Sequence, residues 1–268
     1  MVRTAQRSTP IAVLGRAGMV CYGVVHLIVA YLGVQIAVAG NGQSADKSGA
    51  VEEIASTSFG GMLLWVLAIG LFAFALWQVL LAIVGYGWRH KKRTRVFKRI
   101  GAAVRAVIAV SIGVTAVRVA SGAGSAGDGD QQQQNFTAKV LELPAGRILV
   151  GLAALIVLCY GIAAVSSGVR RSFMKDLNTS ELPAGSQQWV RRLGMIGYIG
   201  KGVAIGIVAI LLGLAAFRSN PNEAGGLDAA LRTLADQPFG TFLLIAVALG
   251  FAGYGVYCFA AARSHRTA

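Results

Sequence analysis

Acidic residues are scarce in this 268-residue chain: 11 Asp and Glu stand against 25 Lys and Arg, and charged residues of both signs make up only 13%. None of the acids falls within a long apolar run. Transporters coupled to protons or sodium often set carboxylates inside the membrane, so that chemistry has no residue to use here. Histidine is rarer still. Of three, only His26 lies in an apolar run, because His90 and His265 sit beside basic residues. A bis-histidine haem needs two facing ligands, which argues against a self-contained b-type cytochrome. His26 reads first as a hydrogen-bonded packing residue, with a ligand or proton-relay role as the alternative. Cys21, Cys159 and Cys258 are odd in number and lie in apolar runs, which suits packing and not disulfides or zinc. No phosphate loop ending in Lys-Ser/Thr, no His-Glu-x-x-His and no Cys-x-x-Cys occurs. No enzyme, metal or cofactor is expected.

What the chain has in quantity is apolar length. Hydrophobic residues make up 55%, there are 35 glycines, and mean hydropathy is +0.63. Six stretches approach the ~20 residues that cross hydrocarbon, at roughly 15–39, 61–87, 97–120, 146–168, 194–217 and 239–262. Runs this long and continuous suit helices rather than barrel strands. The expected fold is all-α, a polytopic membrane helical bundle of six transmembrane helices forming a single membrane domain over 1–268. Arg3 and Arg7 lead into a run of full spanning length with no small-residue cleavage pattern, so the first helix is expected to remain as an anchor.

Charge predicts the orientation. Seventeen of the 25 basic residues flank one set of span ends, including Arg89 to Arg99 and Arg170, Arg171, Lys175, Arg191 and Arg192. Six lie at the other ends: Lys47, Arg118, Lys139, Arg147, Arg218 and Arg232. Nine of the 11 acids share that second side. Lys and Arg flanking spans are retained in the cytoplasm, so a bacterial cytoplasmic membrane protein with both termini cytoplasmic is expected. The excess of +14 charges is then a property of the cytoplasmic face, where anionic lipid headgroups are the expected partners and nucleic acid is not.

A two-helix unit is written three times. Gly18, Gly101 and Gly197 each open a span, 83 and 96 residues apart, and Gly60, Gly146 and Gly240 open the second spans, 86 and 94 apart. After each of the latter a leucine follows at +3 (Leu63, Leu149, Leu243) and an aromatic at +14 (Phe74, Tyr160, Tyr254). Shared periodicity of this kind marks internal duplication. Three pseudo-repeated hairpins follow, with units at about 10–92, 93–180 and 187–264. Successive units enter the bilayer in the same sense, so a pseudo-threefold axis along its normal is expected. The first and third outer connections show short amphipathic helices, at Gly49-Ala-Val-Glu-Glu-Ile-Ala-Ser and Gly226-Leu-Asp-Ala-Ala-Leu. The second, Gly122 to Gln134, reads as flexible.

The unit resembles the DUF1206 family of bacterial membrane proteins. The resemblance is clearest in Gly194-Met-Ile-Gly-Tyr-Ile-Gly-Lys-Gly-Val, Gly226-Leu-Asp-Ala-Ala-Leu and Gln237-Pro-Phe-Gly240. Repeat one keeps Tyr22-Gly23-Val24 and Ser58-Phe59-Gly60, and repeat two replaces Pro-Phe-Gly with Pro144-Ala-Gly146. The resemblance covers nearly the whole chain. It implies three copies of a two-span unit, and no catalytic or binding residues.

Two charges inside spans are the candidate anion- or lipid-binding residues. Lys201 and Arg105 each stand four residues after their repeat's glycine, where repeat one has Tyr22. Neither has a carboxylate at its depth. At ~1.5 Å per residue Arg105 lies roughly 8 to 9 Å beyond Arg99, and Lys201 roughly 13 Å beyond Arg192. Both read first as snorkelling to headgroups, which is harder for Lys201, and the alternative is an anionic guest. Gly202, Gly206, Ala209 and Gly213 form a small-residue stripe for helix packing. Gln35 and Gln78 read as interhelical hydrogen-bond partners, and Trp88 and Trp189 as boundary anchors. The leading functional expectation is a non-enzymatic accessory subunit or scaffold of a membrane complex with a membrane-protein partner. A permease or lipid-handling protein acting through Lys201 and Arg105 is the alternative.

Overall fold

The structure is a computed structural model and describes residues 9–39, 45–83, 85, 92–124, 129–178 and 185–264. The boundary anchor Trp88, the terminal basic residues Arg3, Arg7 and Arg266, and His90 and His265 lie outside the described residues. The described residues form no β-strand. Their α-helices are α1 (Thr9–Ala39), α2 (Lys47–Ala55), α3 (Gly60–Ile83), α4 (Lys92–Ala120), α5 (Gly129–Leu141), α6 (Gly146–Val169), α7 (Ser186–Arg218), α8 (Leu227–Ala235) and α9 (Gly240–Ser264). Six of these, α1, α3, α4, α6, α7 and α9, are long and apolar enough to cross a membrane. A helix satisfies its backbone polar groups within itself, which hydrocarbon demands.

The spans pack side by side in the order α4, α3, α1, α9, α7, α6. Glycines set how closely they approach. Within the hairpins of repeats one and three, Gly18 lies against the backbone of Phe74, and Gly197 against that of Tyr254. Between repeats, a Cβ on Gly23 would stand 2.9 Å from the Gly255 carbonyl, and one on Gly202 2.9 Å from that of Gly161. The corresponding positions of the remaining joint hold Ala75 and Ala106, both buried. Backbone contact of this kind replaces the hydrophobic effect as the source of helix association in lipid. Gly60, Gly146 and Gly240 have another cause: the last carbonyls of the preceding short helix lie over each of them and leave no room for a side chain.

One end of the bundle carries three short helices, α2, α5 and α8, and is the cap end. An aspartate of each cap faces the start of the next. Asp228 accepts from the Ala45 N–H at 2.7 Å, and Asp130 accepts from Gly226 and Ala229 at 2.8 and 2.6 Å. Asp46 caps its own helix through Gly49 at 2.9 Å and lies against Gly129, the first residue of α5. All three carboxylates are buried.

That second connection differs from the expectation of a flexible segment. Gly129 to Leu141, glutamine run included, is helical. Glutamine is a good helix former, Asp130 and Lys139 complement the helix dipole at the two ends, and Gln133 donates to the Gly225 carbonyl at 2.8 Å.

At the opposite, basic end, a 3₁₀ turn at Ser172–Asp176 folds under the bundle. Phe173 is fully buried, stacked on Tyr198 with ring centroids 5.0 Å apart and edge-on to Tyr257 at 5.2 Å. Lys98 pairs with Asp176 at 2.7 Å, and Asn178 N–H donates to the Ser264 carbonyl.

Candidate functional site

Tyr22, Arg105 and Lys201 occupy the same place in the three repeats and share one neighbourhood in the bundle. The Lys201 ammonium, half-buried on α7, donates to the Tyr22 hydroxyl at 3.2 Å and faces His26 Nε2 at 3.2 Å, both on α1. Its third side lies over the Tyr254 ring, 4.2 Å from the centroid. His26 Nδ1 stands 2.8 Å from the Tyr22 carbonyl oxygen. A carbonyl can only accept, so Nδ1 carries the proton and Nε2 offers its lone pair to the ammonium. Three neutral groups, a hydroxyl, an imidazole and a π face, thus satisfy the charge by orientation without cancelling it. Among the described residues Lys201 forms no ion pair.

Two further cations act on this interior. Arg105, half-buried on α4, acts electrostatically on Tyr22, Tyr198, Lys201 and Tyr254. One of its guanidinium nitrogens lies 3.6 Å from where a Cβ on Gly101 would stand. The side chain therefore runs back one turn toward the basic end, as snorkelling requires. Lys47, at the first turn of α2, acts on both His26 and Lys201 from the cap end. Burial holds its ammonium down at about 8, against the pull of Asp46 beside it. Burial likewise pushes the Asp46 carboxyl up to about 6, opposed by the Gly49 N–H and reinforced by Asp130 and Asp228.

Tyr22 and His26 were legible as a departure from the basic position and as a lone histidine, but not as a pair gripping Lys201. The signal was available: they are four residues apart and so share a helix face. Lys47 carried none, since it lies in a connection and reads as an outer-surface charge. Of the packing stripe, Gly202 and Gly206 lie at the α6 backbone around Gly161, Gly213 faces Ala154, and Ala209 is buried. Gln78 is buried on α3. Gln35 bonds Tyr31 on its own helix at 2.7 Å and not a neighbouring span, because the pair faces outward. No cluster of three His, Cys, Asp or Glu side chains arranged for a metal occurs among the described residues.

Three hairpin repeats, six apolar spans and a cationic interior define a multi-pass membrane protein. The chain matches the family described as "Domain of Unknown Function (DUF1206)" three times, over residues 17–85, 100–171 and 196–265, and it belongs to that family. It is 32% identical over 258 residues to "Uncharacterized protein YxxB" of Bacillus subtilis (strain 168), covering 96% of this chain and 92% of that protein. No solved structure matches the chain.

Proposed function

We propose that this protein is a non-enzymatic membrane protein that binds an anionic group inside its bundle through Lys201, with Arg105, as a permease or lipid-handling protein of the bacterial cytoplasmic membrane. The observation that carries the reading is the Lys201 ammonium held by Tyr22, His26 and Tyr254 with no carboxylate from any span. A charge placed so far from water is costly. Its arrangement leaves the positive potential uncancelled, and Lys47 and Arg105 add to it. An anion entering this interior would meet three cations. The excess of basic residues at one end supports an orientation with both termini in the cytoplasm.

The accessory-subunit reading rests on a different surface. The small-residue stripe of α7 is used within the chain against α6, so a partner helix would have to use the outer face of α6, whose spanning window is only 17% buried.

Purification of the parent and of Lys201→Met in a lipid-preserving system tests the choice. The parent should retain an anionic lipid or solute in fixed ratio, and Lys201→Met should release it while still inserting in the membrane. Retention of a stoichiometric protein partner with no anion in either form would replace this reading with the accessory one.

A further inference from the structure

We infer that the ligand reaches this interior sideways from the bilayer, between α4 and α6, and that it is an anionic phospholipid whose headgroup phosphate meets Arg105 and then Lys201 while its acyl chains stay in the membrane. The inference rests on the anion-binding reading above and adds the ligand class and its route.

Both polar ends of the bundle are tied across by described residues. At the cap end Asp228 bonds the start of α2 and Asp130 bonds the start of α8, while Asp46 lies against the start of α5, so each cap is held by a buried hydrogen bond to at least one neighbour. At the basic end Phe173 and Leu177 are fully buried, and the turn carrying them is fastened to α4 by Lys98–Asp176 and to the end of α9 by Asn178. A water-borne anion would have to open one of these ends.

The side is different at one joint. In repeats one and three the glycine and aromatic landmarks bring the two spans of a hairpin into backbone contact: a Cβ on Gly18 would stand 2.6 Å from the Phe74 nitrogen, and one on Gly197 2.5 Å from that of Tyr254. In repeat two the same two positions are Gly101 and Tyr160, and the nearest atom of α6 is the edge of the Tyr160 ring at 4.0 Å. α4 packs instead on α3, and α6 on α7, so the joint between α4 and α6 is the loosest in the bundle. Arg105 stands one turn from Gly101 at this seam, with its guanidinium turned toward the basic end. Arg95, Lys98 and Arg99 begin the same helix. On the same face of α4 as Arg105, one turn on, stands the partly buried apolar Ile108. A loose joint that faces the bilayer and carries charge at headgroup depth beside apolar side chains matches an anionic lipid. At the basic-end turn, Asp176 pairs with Lys98 at 2.7 Å.

The test uses the full chain with Cys21, Cys159 and Cys258 replaced by alanine and with Gly101→Cys and Tyr160→Cys introduced. A short, reducible bifunctional thiol reagent then joins the two sides of the seam. Delipidated protein is exposed to phosphatidylglycerol, phosphatidylcholine or inorganic phosphate, and retained molecules are counted by native mass spectrometry. We expect one phosphatidylglycerol per chain and no phosphatidylcholine, with occupancy about tenfold lower in Lys201→Met. Occupancy should be similarly reduced by the link and restored when the link is reduced, which removes misfolding as an explanation. Equal phosphatidylglycerol uptake with the link in place would overturn the lateral route and leave the anion site standing. Uptake of inorganic phosphate alone would overturn the lipid. Retention of neither, or equal retention by Lys201→Met, would overturn the anion site itself.

Discussion

Repeats two and three of this chain carry the same landmarks and put them to opposite use. In repeat three Gly197 presses on the backbone of Tyr254 and closes the hairpin, whereas in repeat two Gly101 and Tyr160 stand apart and the two spans turn to other neighbours. The divergent copy is therefore the one whose two spans part company, and they do so beside a charge. A duplicated unit can keep its fold in two copies while the third is released from the packing constraint and becomes available for function. The difference teaches that a landmark glycine marks a position in the repeat, and that the backbone contact it permits is decided by the partner span.

Substituting the paired glycines is the hardest test of that difference. Gly197→Ala would drive a methyl into the Tyr254 backbone at 2.5 Å, and backbone cannot swing aside as a side chain can. We expect a loss of about 3 kcal/mol, at the upper end of overpacking effects. Gly101→Ala meets nothing nearer than the Arg105 side chain at 3.6 Å, and should change stability by less than ~1 kcal/mol. Apparent melting temperatures in one detergent decide it. Equal losses would mean that the hairpin of repeat two is as closed as that of repeat three.

The caps differ as well, and pH separates them. Asp228 pairs with Arg232 at 2.7 Å, while Asp46 makes no ion pair among the described residues and is raised to about 6, chiefly by burial. Because the folded value lies above the ordinary 3.8, the folded state holds the proton more tightly. Its contribution is complete below that ordinary value and is lost as pH climbs through about 6. Lys47 runs the other way. Burial lowers it from 10.5 to about 8, so the folded state gives up its proton early and stability returns as pH rises from about 8 toward 10.5. A stability minimum between pH 6 and 8 is the expected result, with an acid limb of about 3 kcal/mol. Asp130 and Asp228 face Asp46, as do the Ser48 and Gly49 N–H groups, and all remain in the variants. Asp46→Asn should flatten the acid limb alone and Lys47→Met the alkaline limb alone. A minimum unmoved by either variant would assign it to other groups.

Much of this architecture was readable because the forces that write it are local and periodic. Apolar length gives the spans, and the spacing of Gly18, Gly101 and Gly197 against Gly60, Gly146 and Gly240 gives the repeats. Even the aromatics at +14 proved to be the residues that two of the first-span glycines touch. Less could be read where the outcome depends on contacts between distant segments. The Gly122 to Gln134 segment looks flexible by composition, yet its second half becomes helical where Asp130 and Gln133 bond the start of repeat three's cap. The basic-end turn bearing Phe173 has no periodic signature, and its burial depends on Tyr198 and Tyr257 from two other helices. For the candidate site the charges were legible, and their company was not. Lys201 meets its partners 175 and 179 residues away in sequence.

The smallest effect separates the three equivalent positions themselves. Tyr22 Oη accepts a hydrogen bond from Lys201 at 3.2 Å, and Arg105 bears on Tyr22 through its charge. A double-mutant cycle between Tyr22→Phe and Lys201→Met should give a coupling of about 1–2 kcal/mol, the range for a hydrogen bond with one charged partner. The cycle between Tyr22→Phe and Arg105→Met should give less than ~0.5 kcal/mol, because a charge acting on a neutral hydroxyl couples more weakly than a hydrogen bond made to it. His26 should stay put in both single variants, since its bond to the Tyr22 carbonyl uses the backbone and survives the loss of the hydroxyl. Equal couplings would place Arg105 in direct contact with Tyr22. The guanidinium would then belong to the grip on the interior and not to the seam, and repeat two would be closed around its charge in the way repeat three is.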